Sequence, residues 1–328
     1  MFFGCNAVKR VNKNELLLKK NTFIVNGKII KSEEISRLSF HNKNSHILGI
    51  PVRLHIYNLA RPNKDSIFDK WINKNSKRKQ RYIDAFSKKQ FQKIKKTSIG
   101  FNNWLLKTGE APEILDSLKI NKTKLNLERY YFSKGWFDRT IDYKVNIHGK
   151  QKASLKYEIF RGDPFKISEI KTDIKTKILD SIYHASNNHS FIKKNTQFDI
   201  TNFENERNRL NNIFRNSGVY NFSQDYITFE NDTIGKDHKV DVKINIPNKL
   251  IRSGDTILQE PFKVYKIKEV NIYTDASFKN RSKLKAEKIL TFNGFNFYNY
   301  LKLKYRPNSI TNALQIAKGK LYSDLDKT

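Results

Sequence analysis

The chain has 328 residues, 38% of them hydrophobic, with 63 Lys and Arg against 32 Asp and Glu and a formal net charge of +31. That hydrophobic content supports packed cores and excludes global disorder. A single cysteine excludes an intramolecular disulfide, and no apolar run reaches the roughly 20 residues of a membrane-spanning helix. The charge points to anionic partners or, since the lysines are spread along the chain, to a solvated lysine-rich surface.

In the tail at 1–14, MFFGC sets a small residue, Gly4, directly before Cys5, with Phe2 and Phe3 ahead of it. This has the form of the end of a bacterial lipoprotein signal, with Phe2 where leucine is usual, and makes Cys5 the candidate lipidation site. Further on, Val52, Leu54 and Ile56 alternate with Arg53, His55 and Tyr57, a period-2 pattern that predicts a strand. An insertion follows at 61–109. Within it, Phe68, Trp71 and Ile72, then Tyr82, Ile83 and Phe86, then Ile94 are spaced for amphipathic helices. Residues 61–107 hold 14 Lys and Arg against only Asp65, Asp69 and Asp84. Such helices either cap the first unit or turn a basic face toward phosphates or a partner.

Beyond the insertion the sequence repeats itself. Leu125, Leu127, Tyr130 and Tyr131 lead to Gly135, and Phe203, Arg207, Leu210, Ile213 and Phe214 share a helical face that leads to Gly218, 83 residues later. Both glycines sit where a left-handed residue ends a helix. A bulky pair follows each, Trp136-Phe137 and Val219-Tyr220, and predicts the start of a strand. The hairpin TIDYKVNI–KASLKYEIF alternates cleanly around Gly149, and Val240, Val242, Ile244 and Ile246 do the same before Pro247. After each hairpin comes P-F-K: Pro164-Phe165 and, 97 residues on, Pro261-Phe262, which predict the opening strand of a new copy. Ile178, Leu179 and Ile182 mark a first helix in the second copy.

The predicted fold class is therefore α+β: tandem β-α-α-β-β units, each a small three-stranded mixed sheet with two helices on one face. The first spans 15–161, the second 162–250 and the third 259–328. Aligning Phe198 with Tyr322 makes the third incomplete, so the chain is expected to be part of a longer protein.

No phosphate-binding loop, dinucleotide fingerprint or zinc-protease motif occurs, and the seven histidines lack ligand spacing; His184 and His189 read as a polar loop. Asp163 beside Pro164 reads as a turn. No catalytic, cofactor or metal site is expected, and the chain is not read as an enzyme.

The unit, with its G-[W/V]-[F/Y]-[D/N] step and P-F-K opening, resembles the POTRA domains of the BamA/TamA family of outer-membrane assembly factors. ILGIPVRLHIYNL, KTGEAPEILD, LERYYFSKGWFD and LKLKYRPNSITNALQIAKGKLYS are similar to its TamL lipoprotein branch in Bacteroidetes. The resemblance implies a periplasmic region at the outer membrane, an acylated Cys5, and a membrane barrel after Thr328. It implies as partners unfolded outer-membrane proteins, a TamB-like protein spanning the periplasm, and membrane lipid through the acyl anchor and the basic insertion. It also implies a non-enzymatic, chaperone-like activity without cofactors.

A small open sheet leaves backbone groups unpaired at its edge, where an extended client can add as a strand. The apolar, β-prone run at 219–229, with Val219, Tyr226, Ile227, Thr228 and Phe229, is the candidate edge, or simply completes its own sheet. Two other readings remain open: a basic nucleic-acid-binding protein, supported by charge and 12% aromatic residues but lacking any recognised module, and a passive periplasmic scaffold.

Overall fold

In the computed structural model, residues 6–279 and 285–327 are described. Cys5 lies outside them. The chain divides into two compact units, one of residues 1–132 and 136–162, the other of 133–135 and 163–328.

In the first unit β1 (Leu17–Val25) and β2 (Lys28–Ile30) form a hairpin, followed by α1 (Glu33–Arg37), α2 (Val52–Leu59), α3 (Lys64–Asn73), α4 (Ser76–Thr108) and α5 (Ser117–Ser133), then β3 (Thr140–His148) and β4 (Lys152–Phe160). The sheet order is β2-β1-β4-β3, with β1 parallel to β4 and the other pairs antiparallel. The sheet thus has four strands where three were expected. Its inner face, with Phe23, Leu155, Tyr157 and Ile159, packs on Ile120, Leu127 and Tyr131 of α5 and Ile35 of α1. Phe23 and Tyr157 stack with centroids 5.4 Å apart. Burial pushes the Tyr157 hydroxyl up to about 12.

The strand expected at Val52, Leu54 and Ile56 is instead helix α2. Three alternating pairs are too few to fix a period, and Pro51, which lacks an N–H, sits at the helix N-cap where no intrahelical donor is needed. Leu54 and Asn58, one turn apart, both face inward. Leu54 packs with Leu17 and Val11, and Asn58 donates from Nδ2 to the carbonyls of Asn6 and Ala7. The opening strand of this unit is β1, which lacks the P-F-K signature.

The insertion is helical. In α3, Phe68 and Ile72 bury against Phe91 of α4, and Lys95 of α4 bridges Asp65 (2.8 Å) and Asp69 (2.7 Å) of α3. Ser87 has φ 58° and ψ 157°, which breaks α4 into two helical segments.

The second unit holds β5 (Lys166–Ile174), α6 (Lys177–Ala185), α7 (Ile200–Asn216), β6 (Thr228–Asp232) and β7 (Lys239–Ile246). Here the order strand, helix, helix, strand, strand gives a three-stranded mixed sheet, β5-β7-β6. Ile167, Val240, Val242, Ile244 and Ile246 line its inner face and bury with Leu179, Phe203, Leu210 and Phe214 of the two helices. Glu206, fully buried on α7, accepts from Arg209 (2.5 and 2.9 Å) and from the Phe191 N–H (3.0 Å). Arg209 also reaches the Ser186 carbonyl (3.1 Å), so the pair pins the connection between the helices.

After a hairpin, β8 (Lys249–Ser253) and β9 (Thr256–Glu260), comes a second three-stranded sheet: β10 (Val270–Tyr273), β11 (Glu287–Phe292) and β12 (Phe295–Asn299), in the order β10-β12-β11. The sequence reading missed both. It left the third copy without a closing hairpin, whereas β11 and β12 come early and precede the short helix Pro307–Thr311. Their turn at Asn293-Gly294, both with positive φ, is the usual short signal for a hairpin.

A repeated joint is the clearest internal symmetry of this unit. The Phe165 N–H donates to the Gly135 carbonyl and the Tyr265 N–H to the Gly218 carbonyl, both at 2.8 Å. The Phe198 N–H donates to Phe165 (2.9 Å), and that of Tyr322 to Tyr265 (3.0 Å). The Asn195 N–H donates to Ile167 and the Gly319 N–H to Ile267, both at 2.7 Å. Phe165 therefore corresponds to Tyr265, 100 residues on, and the P-F-K register is wrong by three positions. Pro261 and Phe262 belong to the second copy: Phe262 packs on Phe222 (5.1 Å) and Tyr226 (5.0 Å), and its N–H donates to Thr176 Oγ1 (3.1 Å).

Gly218 (φ +97°) must lack a side chain, since a Cβ there would lie 2.7 Å from Val264; at Gly135 (φ +83°) it would meet the Phe198 carbonyl at 2.7 Å. Arg215, at the end of α7, adds a clamp to the second joint. Its guanidinium donates to the carbonyls of Tyr220 (2.9 Å) and Phe222 (2.8 Å), to Tyr322 Oη (3.0 Å), and to the Asp324 carboxylate.

Candidate functional site

The strand predicted at 219–229 begins only at Thr228. Val219, fully buried, donates its N–H to the Phe214 carbonyl (3.1 Å), which closes α7. The Phe222 N–H goes to Val219 (3.2 Å), that of Tyr226 to Ser223 (3.2 Å) and that of Ile227 to Gln224 (3.0 Å). Successive turns use these backbone groups locally, and Val219 and Ile227 spend their apolar side chains on the core. Tyr226 lies in a 3-10 turn, which leaves Thr228 and Phe229 as the first residues of β6.

The other bulky pair likewise opens a turn. Trp136 packs on Tyr131 (5.5 Å) under the Arg161 guanidinium (4.5 Å), and β3 starts only at Thr140. Tyr220, about half exposed, stands edge-on to Tyr322 at 4.8 Å. Pro164 lies in the turn before β5.

β6 is an edge strand: its five residues pair antiparallel with β7 on one side, from Thr228 opposite Asn245 to Asp232 opposite Asp241. Its far end is charged. Lys236 bridges Asp232 (2.7 Å) and Asp241 (2.5 Å) and holds both carboxyls below the usual carboxylate range.

The opposite edge, β5, is longer and was not singled out by the sequence. It pairs parallel with β7 from Lys166 to Ile174, with a register shift between Ile167 and Ile170. Among the described residues its outer side is met at its start, where Lys166 and Gln197 form an antiparallel bridge and the Ile167 N–H donates to Thr196 (2.9 Å). Past that bridge, Ile170 and Thr172 line an open groove of about 430 Å³ with Tyr183 and His184 of α6 and with Asn187, Asn188 and Ile192 of the following connection. Lys193 and Lys194 stand at its rim, and Lys175 (2.7 Å) holds Asp173, near the end of the strand, below the usual carboxylate range.

Chemically this site offers three things: a row of main-chain donors and acceptors, a trough with both polar and apolar walls, and lysines in its lining. That set suits an extended peptide. The signal in the sequence was present but weak, because KISEIKTDI alternates like any half-buried strand and only the topology leaves its far side open.

Neither a protein-family model nor a curated protein matches this chain. Among solved structures, POTRA domains 3–5 of Haemophilus influenzae BamA are similar over 89% of this chain and 100% of that one, with 8% identity and a TM-score of 0.32. BamA of Haemophilus ducreyi lacking its POTRA domains 1–3 is similar over 45% of this chain and 26% of that one, at 12% identity and a TM-score of 0.29. POTRA domains 1–3 of the Anabaena Omp85 are similar over 71% and 65%, at 12% identity and a TM-score of 0.23.

Proposed function

We propose that this chain is a periplasmic POTRA-type arm of an outer-membrane protein assembly or translocation factor, and that it handles extended clients by strand addition to the sheet of its second unit. The observation that carries the reading is the outer edge of β5, which runs open past its first residues beside the groove lined by Ile170, Thr172, Tyr183 and Ile192. Main-chain bonds along such an edge give affinity with little demand on sequence, and the mixed polar and apolar trough takes the alternating side chains of a barrel strand without selecting one sequence. β6, with Thr228 and Phe229, is a shorter second edge of the same sheet.

The strand order of this unit and the sequence segments similar to the TamL branch support the assignment to the outer membrane, periplasmic side. In its finer form the proposal includes Cys5 as an acylated anchor and a TamB-like protein as a docking partner.

The test is hydrogen exchange of the whole chain with a synthetic barrel-strand peptide. Added protection at 168–174 supports β5, and protection confined to 228–232 moves the site to β6. A peptide N-methylated at alternate residues removes the protection, because its edge can no longer donate. If neither strand gains protection, or if the N-methylated peptide protects equally, strand addition is wrong.

A further inference from the structure

The second segment of α4, residues 88–108, is divided lengthwise into three sectors. One faces the rest of its unit: Phe91, Asn102 and Leu105 are buried, and Lys95 is held by Asp65 and Asp69 of α3. These contacts fix how the segment is turned about its axis. At about 100° per residue, the next sector carries Ile94, Phe101 and Trp104, which are 41%, 60% and 53% exposed. The Phe101 and Trp104 rings stack on each other at 5.7 Å. The third sector, beside it, carries Lys89, Lys93, Lys96 and Lys107, all exposed. No acidic residue occurs between 85 and 109, so nothing on this segment offsets those charges.

A solvated helical face has no reason to hold two stacked aromatic rings and an isoleucine in a row on its water side. A helix that lies in a membrane interface does: aromatics sit at the boundary of headgroups and acyl chains, and lysines reach the phosphates from the flank. The basic flank selects the partner, because each lysine near an anionic lipid surface adds to binding, whereas a neutral apolar protein surface gains nothing from it.

We infer that residues 88–108 dock lengthwise on an anionic phospholipid surface, with Ile94, Phe101 and Trp104 in the interface and the four lysines among the phosphates. The stripe from Ile94 to Trp104 is about 15 Å long at 1.5 Å per residue. The inference is independent of strand addition: the helix belongs to the first unit and the candidate edges to the second, so either reading can fail alone.

The experiment uses the whole chain and vesicles of phosphatidylcholine with about 30% phosphatidylglycerol, at physiological salt. The chain is expected to sediment with these vesicles and not with pure phosphatidylcholine. Phe101→Ser with Trp104→Ser, and separately Lys89→Glu with Lys93→Glu, are each expected to weaken binding about tenfold or more. All four positions are exposed, and thermal melts identify any variant that has lost its fold. Trp104→Phe is expected to keep binding while removing most of the tryptophan quenching by brominated lipid, which separates Trp104 from Trp71 and Trp136. Loss with the lysine variant but none with the aromatic variant would leave only diffuse electrostatic attraction and overturn the inference. Absence of vesicle binding, or equal binding to neutral vesicles, would overturn it too.

Discussion

The sheets of the two units share a strand order and differ in how the first strand is finished. In the first, β1 is covered on its outer side at both ends. β2 pairs with Phe23, Ile24 and Val25, while Leu18 donates its N–H to the Glu113 carbonyl and Leu115 donates to Leu16, each at 2.8 Å. In the second, among the described residues, the outer side of β5 meets the short crossing at 195–197 and nothing further along. The cores, built from alternating residues over two packed elements, are alike. What differs is a three-residue strand and a few loop residues, and those decide whether a backbone edge is closed or available. Edge protection is thus separable from the core, and one sheet can be a closed support while its repeat stays open.

The largest expected effect lies in the core of the second unit, on which the open edge depends. Arg209→Leu leaves Glu206 buried with its charge uncompensated and is expected to cost about 3–5 kcal/mol in urea unfolding, with no effect on exchange protection in the first sheet. The double variant with Glu206→Leu is expected to recover most of that loss.

Next comes the joint. Gly218→Ala places a Cβ against Val264 on a backbone at φ +97° and is expected to cost about 1–2 kcal/mol, with faster exchange at Tyr265 and Tyr322. Unchanged exchange there would mean that the joint tolerates a side chain.

A direct conversion sharpens the comparison. Ile30→Pro removes an N–H from β2, the strand that covers β1 at Phe23. The expected cost is about 1 kcal/mol, with new protection of 23–25 by the barrel-strand peptide. If peptide never reaches β1, closure by β2 is not what distinguishes the sheets.

The smallest effect is a pH dependence confined to the first unit. His41 is 1% exposed, and burial, its foremost influence, lowers its pKa from the ordinary histidine value. Its Nε2 accepts from the Asp116 N–H at 3.0 Å, a bond that needs the unprotonated nitrogen. The unfolded chain therefore takes up this proton first as pH falls. The stabilisation is full above about pH 6.5 and is lost as pH drops through the folded pKa. Melting of the first unit is expected to fall between pH 7 and pH 5 in the native chain and to flatten in His41→Gln.

The parts legible in sequence were those that repeat a period. The α+β class, the alternation of β3, β4 and β7, and the amphipathic α7 all announce themselves. Failures cluster where neighbours decide. Residues 52–59 alternate like a strand but form a helix because Leu54 and Asn58 both find partners one turn apart. Residues 219–227 are β-prone, yet turns absorb their N–H groups. Pro261-Phe262 copies the letters of Pro164-Phe165 but ends the second copy, where the other pair opens it. An open edge at β5 is a property of topology, and no pattern within nine residues can encode what lies beside them.

The joint at Gly135 and Gly218 has a consequence for how such a chain can vary. Apart from two glycines, its recurring contacts run from main chain to main chain, so they demand geometry and are nearly indifferent to which side chains pass by. Between Tyr265 and Tyr322 the chain accommodates the hairpin β11-β12 beside β10, while the corresponding stretch from Phe165 to Phe198 holds β5, the counterpart of β10, without such a hairpin, and the bonds at both ends of the two stretches match within 0.1 Å. The connector therefore behaves as a standard fitting, and whole elements can be spliced between its two halves without refitting either one.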